Sequence, residues 1–421
     1  MAHQKIQHKD VRNNRIVITG IGVVSSIGIG KEDFWQALKQ GKSGIKPVTL
    51  FDTSSMQSKL AGEIADFKAE EILGEKGLRN LDRATKLALC ASELALHDSE
   101  LKITEQNTDH IGVVLGSTMG SVRSISEFDK EGIMNGPRSV NPALFSNTVI
   151  NSPASQISIR LQIKGLSATI SSGFSSALDA VKYAIDCINS NKSSAVLVGG
   201  AEELCEQTFK GFYKLKLLSA SRKNDKEMIC PFDVRRNGMI LGEGAAFFLI
   251  EKLSSAINRK APIYAEIIGY GTGFDYKSVN RYRFDSCGPD KSIKSAITSA
   301  KINFSDVSFV ASSANSDVKG DAMEANAVKK FFGVKKIAVP AIKSMIGETF
   351  SASGAMQLAA AVLMMKNQFL APTINYDYAD EQCPIDCVPN EGRPLKINYS
   401  LVNAFGLTGQ HSSLVLSGGR I

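Results

Sequence analysis

The 421-residue chain has one tryptophan, five histidines and twelve prolines. So few histidines leave little room for a site built on imidazole clusters. No apolar run reaches the ~20 residues of a membrane helix. The richest stretch, 356–365, is half that length and contains Gln357. The opening MAHQKIQHKDVRNNR has no apolar core of signal-peptide type. These absences predict a cytoplasmic protein with no membrane partner, and a polar tail over 1–14. No Gly/Ser-rich or Pro-rich linker interrupts the chain. HExxH, P-loop, GxSxG and dinucleotide fingerprints are missing, so neither metal nor cofactor is expected. The seven cysteines (Cys90, Cys187, Cys205, Cys230, Cys287, Cys383, Cys387) are odd in number and irregular in spacing. That pattern predicts reduced thiols. The Cys383/Cys387 pair lacks a second Cys/His pair for zinc. Lys+Arg exceed Asp+Glu by 49 to 42, a net +7. This mild excess suits an acidic protein partner and does not imply nucleic acid.

What is present is an alternation of strand and helix patterns. Strands are predicted at 15–20, 110–115, 167–171, 195–200, 245–253, 265–271, 307–312, 337–341 and 412–416. Helices are predicted at 31–40, 81–97, 149–163, 175–190, 290–302, 321–332 and 354–366. This is an α/β chain with mostly parallel sheets covered by helices. Periodicity alone does not make the second half a copy of the first.

Candidate chemistry is thin. His97 ends a helix, where a cation favours the dipole. His110 opens a strand, and His3 and His8 lie in the tail. His411, in Gly406-Leu-Thr-Gly409-Gln-His411, is the one histidine kept as a site candidate. Gly269-Tyr-Gly271-Thr-Gly273 lacks the helix a phosphate loop needs, and Ser316-Asp-Val-Lys319 matches SxxK without its companion motifs. The most informative stretch is Ser167-Ala-Thr-Ile-Ser-Ser-Gly-Phe174-Ser-Ser-Ala177. A strand runs through a turn at Gly173 into a helix, the place where a nucleophile gains from the helix field. Phe174 stands there, with neither lone pair nor acidic proton. Ser175 is expected to cap the helix. Ser172 or Ser175 could attack only if a base such as Lys343 assisted.

Ordered matches run through the whole chain: Val17-Ile-Thr-Gly-Ile-Gly-Val-Val-Ser, Gly116-Ser117, Asn135-Gly-Pro-Arg138, Val198-Gly-Gly-Ala-Glu202 and Cys230-Pro-Phe-Asp233. Then come Arg236-Asn-Gly-Met-Ile-Leu-Gly-Glu-Gly-Ala245, Gly320-Asp321 with Glu324, Lys343-Ser-Met with Gly347, and Asn403-Ala-Phe-Gly406. On these motifs the sequence resembles the elongating β-ketoacyl-[acyl carrier protein] synthases of the thiolase-like fold. The resemblance implies a duplicated five-layer αβαβα architecture, with halves at 15–255 and 256–421, and paired subunits that complete each other's substrate pocket.

The family's reactive set is one Cys and two His. By the resemblance those positions hold Phe174, Ser313 and Glu348 here, with Lys343 retained and Phe405 beside them. Lys343 is expected to pair with Glu348 or Glu324. Such a chain cannot form an acyl-thioester or hold an enolate oxygen with imidazoles. It is most similar to the chain length factors, inactive homologues that pair with an active synthase in type II polyketide systems, although these often carry Gln where Phe174 stands. The expected partners are an active ketosynthase (a heterodimer, or a dimer of such dimers), an acyl carrier protein and the growing acyl chain. The expected tunnel and interface residues are Met119, Ser121, Ser124, Phe128, Leu144 and Phe145, with small serines leaving volume and Phe128 as the floor. Two other functions stay open: an active or accessory acyltransferase of fatty acid synthesis using non-standard residues, and a plain scaffold or acyl-binding protein.

Overall fold

A computed structural model describes residues 15–221, 226–277 and 281–418; the predicted tail at 1–14 lies outside them. The main sheet has ten strands among the described residues; the short strand Gly28–Ile29 pairs only with the first, and the other nine form its continuous path: β1 (Ile16–Ser25), β2 (Ile111–Gly116), β3 (Ser167–Ile170), β4 (Ala195–Glu202), β5 (Gly244–Lys252), β6 (Ala265–Phe274), β7 (Val307–Ala311), β8 (Tyr399–Phe405) and β9 (Gln410–Ser417). Seven helices matter for the site: α1 (Arg83–Asp98), α2 (Val122–Asn135), α3 (Ser152–Arg160), α4 (Ser176–Asn189), α5 (Gly288–Ala300), α6 (Val318–Phe332) and α7 (Ser353–Asn367).

The strand order is β7-β8-β9-β6-β1-β5-β4-β2-β3. The first half runs β3-β2-β4-β5-β1, with β2 parallel to β3 and β4 and the remaining neighbours antiparallel. The second half repeats it: β7 lies parallel to β8, then β9 and β6 follow antiparallel. The segment corresponding to β3 is 337–341, where a strand was predicted. It makes only isolated parallel bridges, Ala338 to Phe309 and Ala338 to Asp386. Its carbonyls accept from β7, through Val310 N–H to Ala338 at 2.9 Å and Ser312 N–H to Pro340 at 3.1 Å. Pro340 has no N–H to continue a ladder, and Ala341 N–H turns to Thr373 Oγ1 at 2.8 Å. The duplication is therefore a repeated topology, and a short β1–β6 pairing joins the two halves into one continuous sheet.

Alternation along the strands sets the layers. On β5, Ala246, Phe248 and Ile250 face the core between the halves, while Ala245, Phe247 and Leu249 face α1 and α3. On the other side, Leu414 and Leu416 face inward and Val415 and Leu401 face the cluster holding α5 and α6. α4 and α7 fill the middle. α7 is buried at every position from Ser353 to Met365, as a helix hydrophobic all round must be. The glycine-rich strands serve this packing. A Cβ at Gly20 or Gly22 would collide with the Ala95 or Ala91 carbonyl of α1, and one at Gly269 or Gly271 with the Ala296 or Ser292 carbonyl of α5. The Gly269–Gly273 stretch is a helix-packing strand and holds no phosphate loop.

Candidate functional site

β3 ends at Ile170, and a 3-10 turn, Gly173–Ser175, leads into α4. Gly173 takes φ +71°, a backbone shape that suits a residue without Cβ. Ser175 was expected to cap α4; it sits in helical conformation and makes no side-chain cap bond. The turn has already begun two residues earlier, and Ser176 braces it: its Oγ accepts from Ser172 N–H at 2.9 Å and donates to Gly173 O at 2.5 Å. Ser175 Oγ donates to Ser172 O at 3.0 Å and to Asp179 Oδ2 at 3.1 Å, and Ser172 Oγ also bonds Asp179. Tyr270 and Ser412 bond the other oxygen of Asp179. Among the described residues, neither serine hydrogen-bonds Lys343, so no serine–lysine pair is assembled.

Phe174 points inward and is 4% exposed. Its ring meets Phe350 edge-on at 5.4 Å between centroids and 72° between planes; Phe350 in turn meets Phe212 at 5.0 Å. Phe350 holds φ 48°, in the left-handed region that phenylalanine rarely adopts. Its N–H is tied to Glu348 Oε1 at 2.9 Å. The helix entrance is thus closed by stacked hydrocarbon.

The second cluster lies beside it. Lys343 and Glu348 are both fully buried and form an ion pair at 2.8 Å. Lys343 Nζ also donates to Ser313 O at 2.9 Å. Glu348 further accepts from Asn315 Nδ2 at 2.6 Å and Ser353 Oγ at 2.5 Å. Of the two partners anticipated for Lys343, Glu348 takes the contact. Glu324 instead accepts from Ser313 N–H, Ser312 Oγ and Asn403 Nδ2 at 2.8–3.1 Å. Burial pushes its carboxyl above the usual range, against the pull of these donors. Ser313 Oγ accepts from Phe405 N–H at 2.9 Å. A Cβ on Gly406 would stand 3.6 Å from Phe174, which puts the 405–406 turn against the same ring. Residues 174, 313, 343, 348 and 405 therefore share one closed neighbourhood. His411 stacks edge-on against Phe405 at 5.3 Å, and burial pushes its pKa down to about 4, so it is a neutral core residue. Cys383 and Cys387 are buried free thiols, with burial raising Cys387 to about 12.

The expected tunnel residues divide. Ser124, Phe128 and Leu144 line an open groove of about 700 Å³ between α1, α2 and the 3-10 turn Pro142–Thr148. Phe145 packs on Phe128 at 5.9 Å. Met119 lies on the inner side, packed against the cluster that contains Phe174 and Phe350. Ser121 leaves no volume, contrary to expectation. It is buried and its Oγ donates to Asp82 Oδ2 at 2.6 Å, while Asp82 caps α1 through Thr85 N–H at 2.7 Å. Its hydroxyl ties two helix starts together. Sequence reasoning missed α2 altogether, and with it Asn315, Phe350 and Glu203 as parts of the two sites.

Two family models match nearly end to end, the β-ketoacyl synthase N-terminal domain over residues 13–256 and the C-terminal domain over 264–377. The chain belongs to the β-ketoacyl synthase family. Among curated proteins it is similar to 3-oxoacyl-[acyl-carrier-protein] synthase 2 of Coxiella burnetii (strain RSA 493 / Nine Mile phase I), 35% identical over 97% of this chain and 99% of that protein. The synthase 2 of Vibrio harveyi is 32% identical over 95% and 98%. Among solved structures, a β-ketoacyl synthase from Burkholderia phymatum STM815 superposes with a TM-score of 0.89 at 29% identity, over 97% and 100% of the two chains. The ishigamide ketosynthase/chain length factor gives 0.88 at 28%, over 96% and 99%. A β-ketoacyl synthase fold is thus complete here, and the thiolase-like layering expected from the motifs is present. No described helix is long and apolar enough to cross a membrane.

Proposed function

We propose that this β-ketoacyl synthase homologue is a non-catalytic subunit of the chain length factor kind. It pairs with an active synthase in the cytoplasm, in a type II polyketide or polyene pathway, and shapes the chamber that receives the growing acyl chain. The observation that carries the reading is the Phe174 ring, packed on Phe350 where a nucleophile would have to stand. Beside it Lys343 is neutralised by Glu348, so it offers neither a free base nor a free cation. Ser313 and Glu348 supply no imidazole to stabilise an enolate oxygen. The likeness to a ketosynthase/chain length factor structure favours the same role. So does the apolar surface of α2 and its flanks, which includes Ile133 at 82% and Met134 at 71% exposure. Another similar structure is described as a type II PKS acyl-carrier protein in complex with its ketosynthase. The net charge of +7 suits an acidic carrier as partner.

The test is expression alone and beside a synthase that retains Cys/His/His. The expected result is a stable heterodimer, condensation of malonyl and acyl units only when both chains are present, and no acyl adduct on this chain by mass spectrometry. Condensation or a covalent acyl adduct on the purified chain by itself would overturn the reading in favour of an acyltransferase with displaced chemistry.

A further inference from the structure

Lysines gather at one end of the second half of the sheet. β7 and β8 run parallel from Val307 and Tyr399, and segment 337–341 joins them with Ala338 beside Phe309. The chain leading into these three segments therefore lies at a common end, opposite the end that leads to Ser313, Lys343 and Phe405. There stand Lys301 after α5, Lys329 and Lys330 in the last turn of α6, Lys335 and Lys336 in the following loop, and Lys396 before β8, all of them exposed. Among the described residues Lys330 is paired, with Asp290, and the other five form no ion pair. Asp306 at the same end is engaged by Asn303 N–H at 2.7 Å.

Helix C-termini favour cations, which accounts for Lys301, Lys329 and Lys330. Lys335, Lys336 and Lys396 have no such reason to be there, and unpaired like charges on one face repel. An anionic partner turns that repulsion into attraction. Apolar side chains stand among the lysines. Gly333, φ +82°, ends α6 and turns the chain so that Val334 is 51% exposed. The Phe304 and Phe331 rings stack at 4.9 Å with 10° between planes, both only partly buried, and Lys330 Nζ lies 5.8 Å from the Phe331 ring centre. The stem of Lys336 folds back on Gly333, its Cδ 3.0 Å from where a Cβ there would stand. Ammonium groups thus surround an apolar tip.

The cationic groups of this cluster are lysines. A fixed carboxylate on a protein is matched best by arginine's planar fork, whereas lysine's mobile point charge suits a fluid array of phosphates. Clustered lysines beside exposed apolar side chains fit a surface that is anionic and oily just beneath. We propose that this end of the molecule docks on an anionic phospholipid bilayer, with the lysines over the headgroups and Val334 between them. The docking face lies at the β7 end of the strand order and β3 at the other, so it does not compete with a partner on the β3 side. The contact is peripheral. It departs from the expectation of no membrane partner, which rested on the lack of a spanning stretch.

The test sediments the full chain with vesicles of phosphatidylcholine alone or with about a third phosphatidylglycerol. Partition onto the anionic vesicles should exceed that onto neutral ones by about tenfold or more at low salt and fall as salt rises. Lys335→Glu/Lys336→Glu/Lys396→Glu should remove the excess with the thermal midpoint unchanged, since all three side chains are exposed. Lys214→Glu/Lys216→Glu/Lys319→Glu changes net charge equally on exposed lysines elsewhere and should keep most of it. Equal partition onto both vesicle types, or an equal loss in both triple variants, overturns the proposal. So does a first variant that leaves lipid binding intact but loses hold of an acidic carrier protein, which assigns the lysines to a protein partner. Sedimentation needs no synthase, so failure of the subunit reading leaves the result standing.

Discussion

The Phe174 and Phe350 rings meet edge to face, 72° between planes, at the point where β3 gives way to α4. This contact closes the helix entrance, and it makes a sharp expectation for restoring a thiol there. Phe174→Cys should remain unable to condense acyl units, because Ser313 and Glu348 still flank it and no imidazole is present. The lost ring should cost about 3 kcal/mol, in the range of large-to-small core changes. Thermal unfolding and a carrier-loaded condensation assay would check both halves.

Glu348 and Lys343 form a buried pair in which each charge depends on the other. Removing one partner of such a pair costs about 3–5 kcal/mol, whereas replacing both by apolar groups is often neutral or better. Glu348→Ala should therefore destabilise far more than Lys343→Met/Glu348→Leu, by at least 2 kcal/mol in chemical denaturation. Glu348→His should also unfold the site, since it sets an imidazole beside an unpaired ammonium. Near-equal stabilities for the single and double variants would show that the pair carries little of this cost.

Much of the fold could be read from apolar runs such as Ala195-Val-Leu-Val-Gly-Gly, because a strand buried on both faces has no polar alternation to confuse it. The 337–341 strand was over-read because the pattern says nothing about which ladder groups Pro340 removes. α2 escaped because none of its residues is buried in the single chain. The Phe174, Ser313 and Glu348 cluster was located through motif resemblance, while its closure by Phe350, φ 48°, depends on backbone shape.

Three of the buried carboxyls lead the pH response. Burial raises Glu202 and Asp321 to about 7 and Glu203 to about 8. Each binds its proton more tightly folded than unfolded, where values near 4 apply. The folded state therefore gains from them at low pH and loses that gain as pH rises through 7 and 8. His411, lowered to about 4, acts in the opposite sense, but only up to its unfolded value near 6.5. Stability should consequently fall between pH 6.5 and 8.5. Denaturation midpoints at these pH values check it, and Glu203→Gln should flatten the slope. A midpoint that rises across the interval would mean the carboxyls are ionised in the folded protein.

The apolar surface of Ile133, Met134, Phe145 and Ile159, exposed at 82, 71, 58 and 69%, falls on α2, the turn Pro142–Thr148 and α3, and the turn contacts both helices. β3 lies at the end of the sheet, and among the described residues no strand pairs its outer edge. A hydrophobic patch next to an open strand edge invites a partner. Ile133→Asp with Phe145→Asp should leave the monomer fold intact, because neither side chain is buried within the chain. The pair should abolish assembly, lowering the mass in light scattering to that of one chain and preventing co-purification with a synthase. Phe128, half-buried between this surface and the groove, should behave differently. Phe128→Ala keeps the assembly and opens the groove by most of a ring, so a reconstituted complex should release longer chains. Unchanged product length with an intact complex would make the subunit a scaffold rather than a ruler.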